Sequence, residues 1–246
     1  MNKLSLFLYL TLSLLFSAEV RSNAKESLQH ITPEEAGYSA EKLKELQCFL
    51  EKSGSGGLLL LYDGKVFFEW GDSHQKILVH SMRKALLNSL YGIYEQSGAI
   101  NLKRTLAEMK IDDIAPSLSE QEKTAILSDI LKSRSGVYHS AAAESEGMNL
   151  ARPLRDSNKP GQFYYYNNWD FNVAGAIFEK YSNKRIYDAF YEEIAKPIGM
   201  MDYRNHIVEL SSNYQEVIDA NSDGFYQYEP ELSKYPAYHF RMSAYD

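Results

Sequence analysis

A predicted β-hairpin constrains the fold of this chain more than any other feature of its sequence. The apolar runs 58–62 and 65–70 flank Asp63 and Gly64, and Asp-Gly between two apolar runs is a strong hairpin signal. The first run is apolar on both of its faces, so we expect helices to cover it. The apolar segment 85–93 that follows is typical of such a helix. The sequence therefore indicates a mixed α+β fold.

Further helices are predicted from apolar periodicity and from capping residues. Ser39 is expected to cap a helix that extends to Lys52, and Ser119 with Glu122 forms a capping-box pair that opens a helix to about Lys132. The remaining helices are expected near 105–109, 169–181 and 186–195, and Lys196 and Pro197 are expected to end the last of them.

The composition narrows the classes of protein to which the chain can belong. Its 246 residues suffice for one large domain or two small lobes, and 19 tyrosines and 11 phenylalanines provide for a substantial core. The net charge is −7 and no run of like charges is long, which argues against a nucleic-acid partner. The six histidines show no metal-ligand spacing. We therefore expect neither a metal nor another cofactor.

The N-terminus is typical of a secretory signal peptide. Lys3 supplies the positive charge, residues 4–16 form the apolar segment, and candidate cleavage sites follow at 20–22 and 22–24. The apolar run is too short for a comfortable membrane span. We predict that residues 1–24 are a signal peptide, that the protein is periplasmic or secreted, and that no stable membrane span remains after cleavage.

The predicted mature domain, residues 25–246, is expected to be incomplete at its C-terminal side. Residues 240–242 are typical of a strand and Ser243 of a helix N-cap, and a domain rarely ends where a helix begins. Two predicted strands are also too few for a stable sheet of this size. We therefore expect later strands of the sheet to be absent. Cys48 is the single cysteine, so no intramolecular disulfide can compensate.

The pattern Ser-x-x-Lys recurs in this chain, and one copy is a candidate for nucleophilic catalysis. Residues three apart lie on the same face of a helix, where a lysine can take the proton of a serine. Ser81 and Lys84 lead into the apolar segment 85–93, and burial lowers the pKa of a lysine toward the range in which it acts as a base. The other copies are interpreted as signal, cap and loop residues: Ser22/Lys25, Ser39/Lys42 and Ser73/Lys76.

A second segment accompanies Ser81 and Lys84: Pro160-Gly161 precedes Tyr166-Asn167-Asn168, and Gly175 follows in the next predicted helix. Together these features resemble the serine β-lactamase and penicillin-binding-protein superfamily, in particular its class C β-lactamase-like esterases and amide hydrolases. Tyr166-Asn167-Asn168 is similar to the superfamily's Tyr-x-Asn motif. The resemblance extends from about Ile31 to the last residue. The segments that are similar to the 6-aminohexanoate-dimer hydrolase branch are 80–87, 134–139 and 163–180.

Other Tyr-x-Asn sequences compete with the one at Tyr166. Tyr181 opens a more literal Tyr-Ser-Asn, but it lies at a predicted helix end without the Pro-Gly lead. Tyr165 and Tyr203 also begin such a pattern. The spacing from Pro160 and to Gly175 favours Tyr166.

The resemblance implies a fold and a reaction. It implies an antiparallel sheet flanked by helices, together with a mostly helical lobe. It also implies a serine hydrolase that forms an acyl-enzyme on Ser81 and cleaves a small amide, ester or β-lactam. Lys84 and Tyr166 would share the acid and base work, and which of them takes the first proton stays open. Asn168 would orient Lys84 or the substrate, and Tyr138 is a candidate substrate-binding residue.

The superfamily's third motif, Lys-Thr-Gly or His-x-Gly on a later strand, does not occur after Ser81 in this sequence. Lys52-Ser53-Gly54 precedes Ser81 and is interpreted as a helix end. In the superfamily the later strand supplies one of two oxyanion donors, and losing one such donor costs roughly 10²–10³ in rate. Two alternatives therefore stay open: a truncated, inactive chain, or a penicillin-binding or sensor relative of the same fold.

Overall fold

The computed structural model describes residues 28–209 and 219–246, which form two compact units. The predicted signal peptide, residues 1–24, lies outside the described residues, so its cleavage and the predicted location stay predictions. Within the described ranges, no helix has both the length and the apolar character needed to cross a bilayer. The first unit contains the described residues up to Gln75, with Ala195–Met201 and Ala244–Asp246, and the second contains Lys76–Ile194 and Asp202–Ser243.

Strands β1 (Gly57–Tyr62) and β2 (Lys65–Gly71) of the first unit form the antiparallel hairpin that the sequence predicts. Asp63 and Gly64 both have positive φ angles, 49° and 71°, which a two-residue turn with the right twist requires. The expectation that β1 is covered on both faces is wrong. No residue of β1 is fully buried, and Leu61 is 45% exposed.

Helix α1 (Ala40–Ser53) packs its apolar face on this hairpin. The Ser39 hydroxyl accepts the backbone N–H of Lys42 at 3.3 Å, so Ser39 is the predicted N-cap. Leu43 of α1 lies in one apolar cluster with Phe67 of β2. The hairpin is therefore stabilised on one face by a helix that precedes it in the chain.

A four-stranded sheet forms the centre of the second unit, in the order β3-β6-β5-β4. Its strands are β3 (Ile77–Leu78), β4 (Ile207–Glu209), β5 (Gly224–Gln227) and β6 (Ala237–Met242). β6 is antiparallel to β3 and to β5, whereas β4 is parallel to β5. The mixed α+β organisation is confirmed, but the expectation of an antiparallel sheet fails at the β4–β5 pair. Of these strands, the sequence predicts only the end of β6. Strands β3, β4 and β5 have two to four residues each, which is too few to show an alternating pattern.

The helices of the second unit match the predicted ones unevenly. The capping box at Ser119 and Glu122 is present, with reciprocal bonds of 2.7 and 3.2 Å. The helix predicted behind it is broken, because Ile126 is extended and bridges Thr105. Residues 106–110 are turns rather than a helix. The observed helices are α2 (Arg83–Gln96), α3 (Leu127–Ile130), α4 (Glu146–Ala151), α5 (Asn168–Ser182) and α6 (Ile186–Phe190), and a π-helical turn (Tyr191–Ala195) continues α6.

The expected stop at Lys196 and Pro197 is wrong. A short helix α7 (Lys196–Ile198) follows the π-helical turn and ends at Gly199, whose φ is 75°. Proline is tolerated in the first turn of a helix because its missing N–H has no intrahelical partner there.

Close packing fixes α5 and α6 against the sheet of the second unit. A Cβ atom on Gly175 of α5 would lie 2.9 Å from the ring of Tyr238 on β6, so only glycine permits this approach. The hydroxyl of Tyr187 on α6 donates toward the carbonyl oxygens of Phe225 and His239, at 2.6 and 3.0 Å. These contacts hold β6 against the middle of α5 and join α6 to β5 and β6.

We predict that Gly175→Ala lowers the free energy of unfolding by about 1–2 kcal/mol, because the added methyl group overpacks the contact with Tyr238. Gly92→Ala in α2 is the matched control, since its Cβ meets nothing within 4 Å. It should stabilise the protein by about 0.5–1 kcal/mol through helix propensity. Urea denaturation measures both, and equal effects of the two variants would contradict the close α5–β6 contact.

Candidate active site

The segment that joins β3 to α2 places Ser81 at the surface and Lys84 inside. His80–Met82 form a 3₁₀ turn, and α2 begins at Arg83. Ser81 is exposed, whereas Lys84 is 6% exposed. Although the segment 85–93 is largely apolar, α2 is not buried on every side. Its buried positions, Arg83, Lys84, Leu87, Leu90 and Tyr91, follow the helical period on one face.

Three polar side chains meet at the amine of Lys84. The Lys84 Nζ atom lies 3.2 Å from Ser81 Oγ, 3.0 Å from Tyr166 Oη and 2.8 Å from Asn168 Oδ1. Tyr166 Oη also lies 2.6 Å from Ser81 Oγ. Ser81, Lys84, Tyr166 and Asn168, all predicted from the sequence, therefore form one hydrogen-bonded cluster.

The amine of Lys84 is held close to its neutral form. Burial and, to a lesser extent, the neighbouring Arg83 guanidinium lower the pKa of Lys84 to about 7. Its polar neighbours are neutral oxygen atoms, and the ring of Phe171 lies 5.3 Å away. A substantial fraction of the amine is therefore unprotonated near neutral pH, which a proton acceptor requires.

The N-terminus of α5 positions Tyr166 and Asn168. Asn167 is the N-cap, and its side-chain oxygen accepts the backbone N–H of Asp170 at 2.8 Å. Tyr166 precedes this cap and Asn168 follows it, so both project from the start of the helix. The Asn168 side chain also donates to the carbonyl oxygen of Ala143. Its amide is therefore oriented, with the oxygen toward Lys84.

Arg83 is a buried residue of the site that the sequence reasoning missed. Its guanidinium donates to Asn172 Oδ1 at 2.9 Å, lies 3.5 Å from Asn168 Oδ1, and stacks over the ring of Tyr238 at 4.3 Å. The pKa of His239 is lowered to about 3, mainly by burial and next by repulsion from the Arg83 guanidinium. The imidazole of His239 is therefore neutral. No periodic signal marks Arg83, because arginine inside a Ser-x-x-Lys pattern is ordinarily expected at the surface.

The structure does not bring Tyr138 to the cluster. Its ring packs edge-on against Tyr165 at a centroid distance of 5.7 Å, and its side chain is 7% exposed. It lines a separate cavity of about 260 Å³ with His139 and Arg152. Among the described residues, no hydrogen bond joins Tyr138 to the cluster around Lys84.

The competing patterns occupy structural positions. Ser73 bonds to Glu69, and Lys76 pairs with Asp223 at 2.6 Å. Gly54 ends α1 with a φ of 72°, as the interpretation of Lys52-Ser53-Gly54 requires. Ser22/Lys25 lies outside the described residues.

The competing Tyr-x-Asn patterns are also part of the scaffold. Asn183, the last residue of the pattern that begins at Tyr181, ends α5, and Tyr203 is a core residue. The hydroxyl of Tyr165 is bonded to the carbonyl oxygen of Met148, so Tyr166 is the tyrosine at Ser81.

A metal centre has no candidate in the part of the chain that the structure describes. There, no group of three or more His, Cys, Asp or Glu side chains is arranged to hold an ion.

Comparisons with known proteins identify the fold. No family model matches the chain and no curated protein matches it. Among solved structures, it is similar to FmtA from Staphylococcus aureus (TM-score 0.52, 17% identity, 71% of this chain and 52% of that one). It is also similar to the D-amino acid amidase of Ochrobactrum anthropi SV3 (TM-score 0.50, 16% identity, 66% of this chain and 50% of that one). A protein of Bacteroides dorei DSM 17855 that is proposed to be a β-lactamase matches too (TM-score 0.52, 16% identity, 84% of this chain and 60% of that one).

The chain has the fold of these solved structures. It spans about half the length of the first two of these solved structures. At such identities the likeness concerns the fold alone. The similarity to the 6-aminohexanoate-dimer hydrolase branch therefore stays a prediction from the sequence motifs.

We predict that Lys84→Met changes the pH dependence of stability. The pKa of Lys84 is about 7 in the folded protein and about 10.4 in an unfolded chain. Between these values the unfolded chain binds more protons, so the free energy of unfolding of the wild type rises with pH. The stability of the variant relative to wild type should therefore fall by about 2 kcal/mol from pH 7 to pH 9.

Urea denaturation at both pH values tests this prediction. Lys44→Met removes an exposed lysine of α1 and serves as the control, since its stability relative to wild type should change little with pH. A pH-independent difference for Lys84→Met would show that the buried amine is not neutral in the folded protein.

Proposed function

We propose that this chain carries the nucleophile and the proton acceptor of a serine hydrolase that cleaves an amide or ester. The observation that supports this most is the contact of Ser81 Oγ with both Lys84 Nζ and Tyr166 Oη, at 3.2 and 2.6 Å. Burial has already lowered the pKa of the lysine to about 7. A serine in contact with a neutral amine can be activated without a metal or a histidine.

In the proposed first step, Ser81 Oγ forms a bond to the substrate carbonyl carbon and gives up its proton. Lys84 can accept this proton directly, or Tyr166 can relay it, since Tyr166 Oη lies 3.0 Å from Lys84 Nζ. The C–N or C–O bond of the substrate then breaks, and the leaving amine or alcohol takes the proton. Water attacks the resulting ester, restores the Ser81 hydroxyl and releases the acid.

Two further groups support the proposed chemistry. The backbone N–H of Ser81 lies at the head of α2, where the helix dipole favours the negative charge that develops on the substrate oxygen. Asn168 is proposed to position Lys84, because its side-chain oxygen accepts from the amine at 2.8 Å. Since that oxygen is uncharged, it orients the amine without stabilising its protonated form as a carboxylate would.

We predict that Ser81→Ala abolishes covalent labelling by a fluorophosphonate or penicillin probe, because Ser81 carries the exposed hydroxyl that Lys84 and Tyr166 contact. Mass spectrometry of the labelled protein should place the adduct on Ser81. Ser89→Ala is the matched control, since Ser89 is exposed on α2 and bonds only its own helix, to Ala85. Labelling that survives Ser81→Ala would refute the proposal. Acylation of Ser81 by the penicillin probe without release of product would indicate a penicillin-binding or sensor protein instead of a hydrolase.

We also predict that Asn168→Asp slows labelling at pH 7 by about tenfold or more, because a carboxylate beside Lys84 raises the pKa of its amine. The midpoint of the pH–rate profile should move upward by about 1–3 pH units, so that alkaline pH restores the rate. A variant with only structural damage would stay slow at every pH. Asn88→Asp, on the exposed face of α2, should leave the profile unchanged.

A further inference from the structure

An apolar groove lies beside the cluster at Lys84. Gly147, Met148 and Ala151 of α4 form one wall, and the aromatic run 163–166 forms the other. The groove has a volume of about 420 Å³, which is within the range of small-molecule sites. We call it the aromatic groove.

Tyr166 belongs to both the aromatic groove and the candidate active site. Its side chain lines the groove, and its hydroxyl donates to Ser81 at 2.6 Å. A molecule lying along the groove would therefore reach the nucleophile at the end where Tyr166 stands. This continuity makes the groove a candidate for the part of the substrate that carries the reacting carbonyl.

The walls of the aromatic groove are fixed to one another. The hydroxyl of Tyr165 donates to the carbonyl oxygen of Met148 at 2.7 Å, which joins the aromatic run to α4. Ser145 caps α4 by accepting the backbone N–H of Met148 at 3.3 Å. The groove is therefore present before any ligand binds, which lowers the entropic cost of binding.

The groove offers apolar surface and no charge. No Asp, Glu, Lys, Arg or His is among the described residues that line it, and Phe163 and Tyr164 are 47% and 55% exposed. The adjacent Glu144 carboxylate is paired with Arg152 at 2.6 Å, so it is not available to a cationic ligand. A charged group in the groove would lose water and find no partner, which is costly.

We propose, on the basis of the proposed function, that the aromatic groove binds an uncharged, apolar acyl chain of the substrate. The carbonyl at the end of this chain is the one that Ser81 attacks. The preferred substrates are then amides or esters of aliphatic acids, and acyl chains that end in an ammonium or a carboxylate are poor substrates.

The chain-length dependence of labelling tests this proposal. Alkyl fluorophosphonates from ethyl to octyl should modify Ser81 at rates that rise about twofold per added methylene, less than the roughly fourfold expected for complete burial. Ala151→Trp fills the groove and should abolish this rise. Leu150→Trp is the matched control, since Leu150 is 80% exposed and does not line the groove; it should keep the wild-type dependence.

A binding measurement separates the groove from the reaction. Octanamide should bind the non-reacting Ser81→Ala variant at least about tenfold more tightly than 8-aminooctanamide, because the ammonium loses its hydration. Ligand-observed NMR measures both affinities. Equal affinities, or a chain-length dependence that survives Ala151→Trp, would overturn the groove proposal. Octanamide binding without any labelling of wild-type Ser81 would instead overturn the proposed hydrolase and support the groove as a binding site.

Discussion

The site depends on the burial of one amine. A protonated lysine surrounded by neutral groups loses its hydration without gaining a counterion, so the neutral form is favoured. The amine of Lys84 is bonded to the uncharged oxygen atoms of Ser81, Tyr166 and Asn168, and Arg83 beside it adds repulsion. These features have a common consequence, since each leaves the amine able to accept the proton of the serine it touches.

Packing far from the nucleophile maintains this burial. The absent side chain of Gly175 makes room for the ring of Tyr238, and that ring supports the guanidinium of Arg83 at 4.3 Å. Burial raises the pKa of Tyr238 to about 12, so this hydroxyl stays neutral beside the cation. Arg83 in turn bonds Asn172 and approaches Asn168. A continuous set of contacts therefore joins the α5–β6 interface to the environment of Lys84.

The sequence predicted what depends on local chemistry and missed what depends on tertiary contacts. The Asp63-Gly64 turn, the Ser39 cap and the pair of motifs at Ser81 and Tyr166 all rest on short-range rules, and the structure contains each. Strands β3 to β5 are too short for a periodic pattern, and the break before α3 arises from a bridge between Ile126 and Thr105 that no local signal encodes. Arg83 and the aromatic groove likewise appear only once distant segments meet.

The protonation state of Lys84 is the central claim, and it can be measured directly. NMR titration of the Lys84 side chain, assigned by its loss in Lys84→Met, reports the pKa of the amine in the folded protein. The account predicts a value of about 7. A value near 10.4, the ordinary pKa of a solvated lysine, would contradict it, since Lys84 would then be protonated at neutral pH and could not activate Ser81.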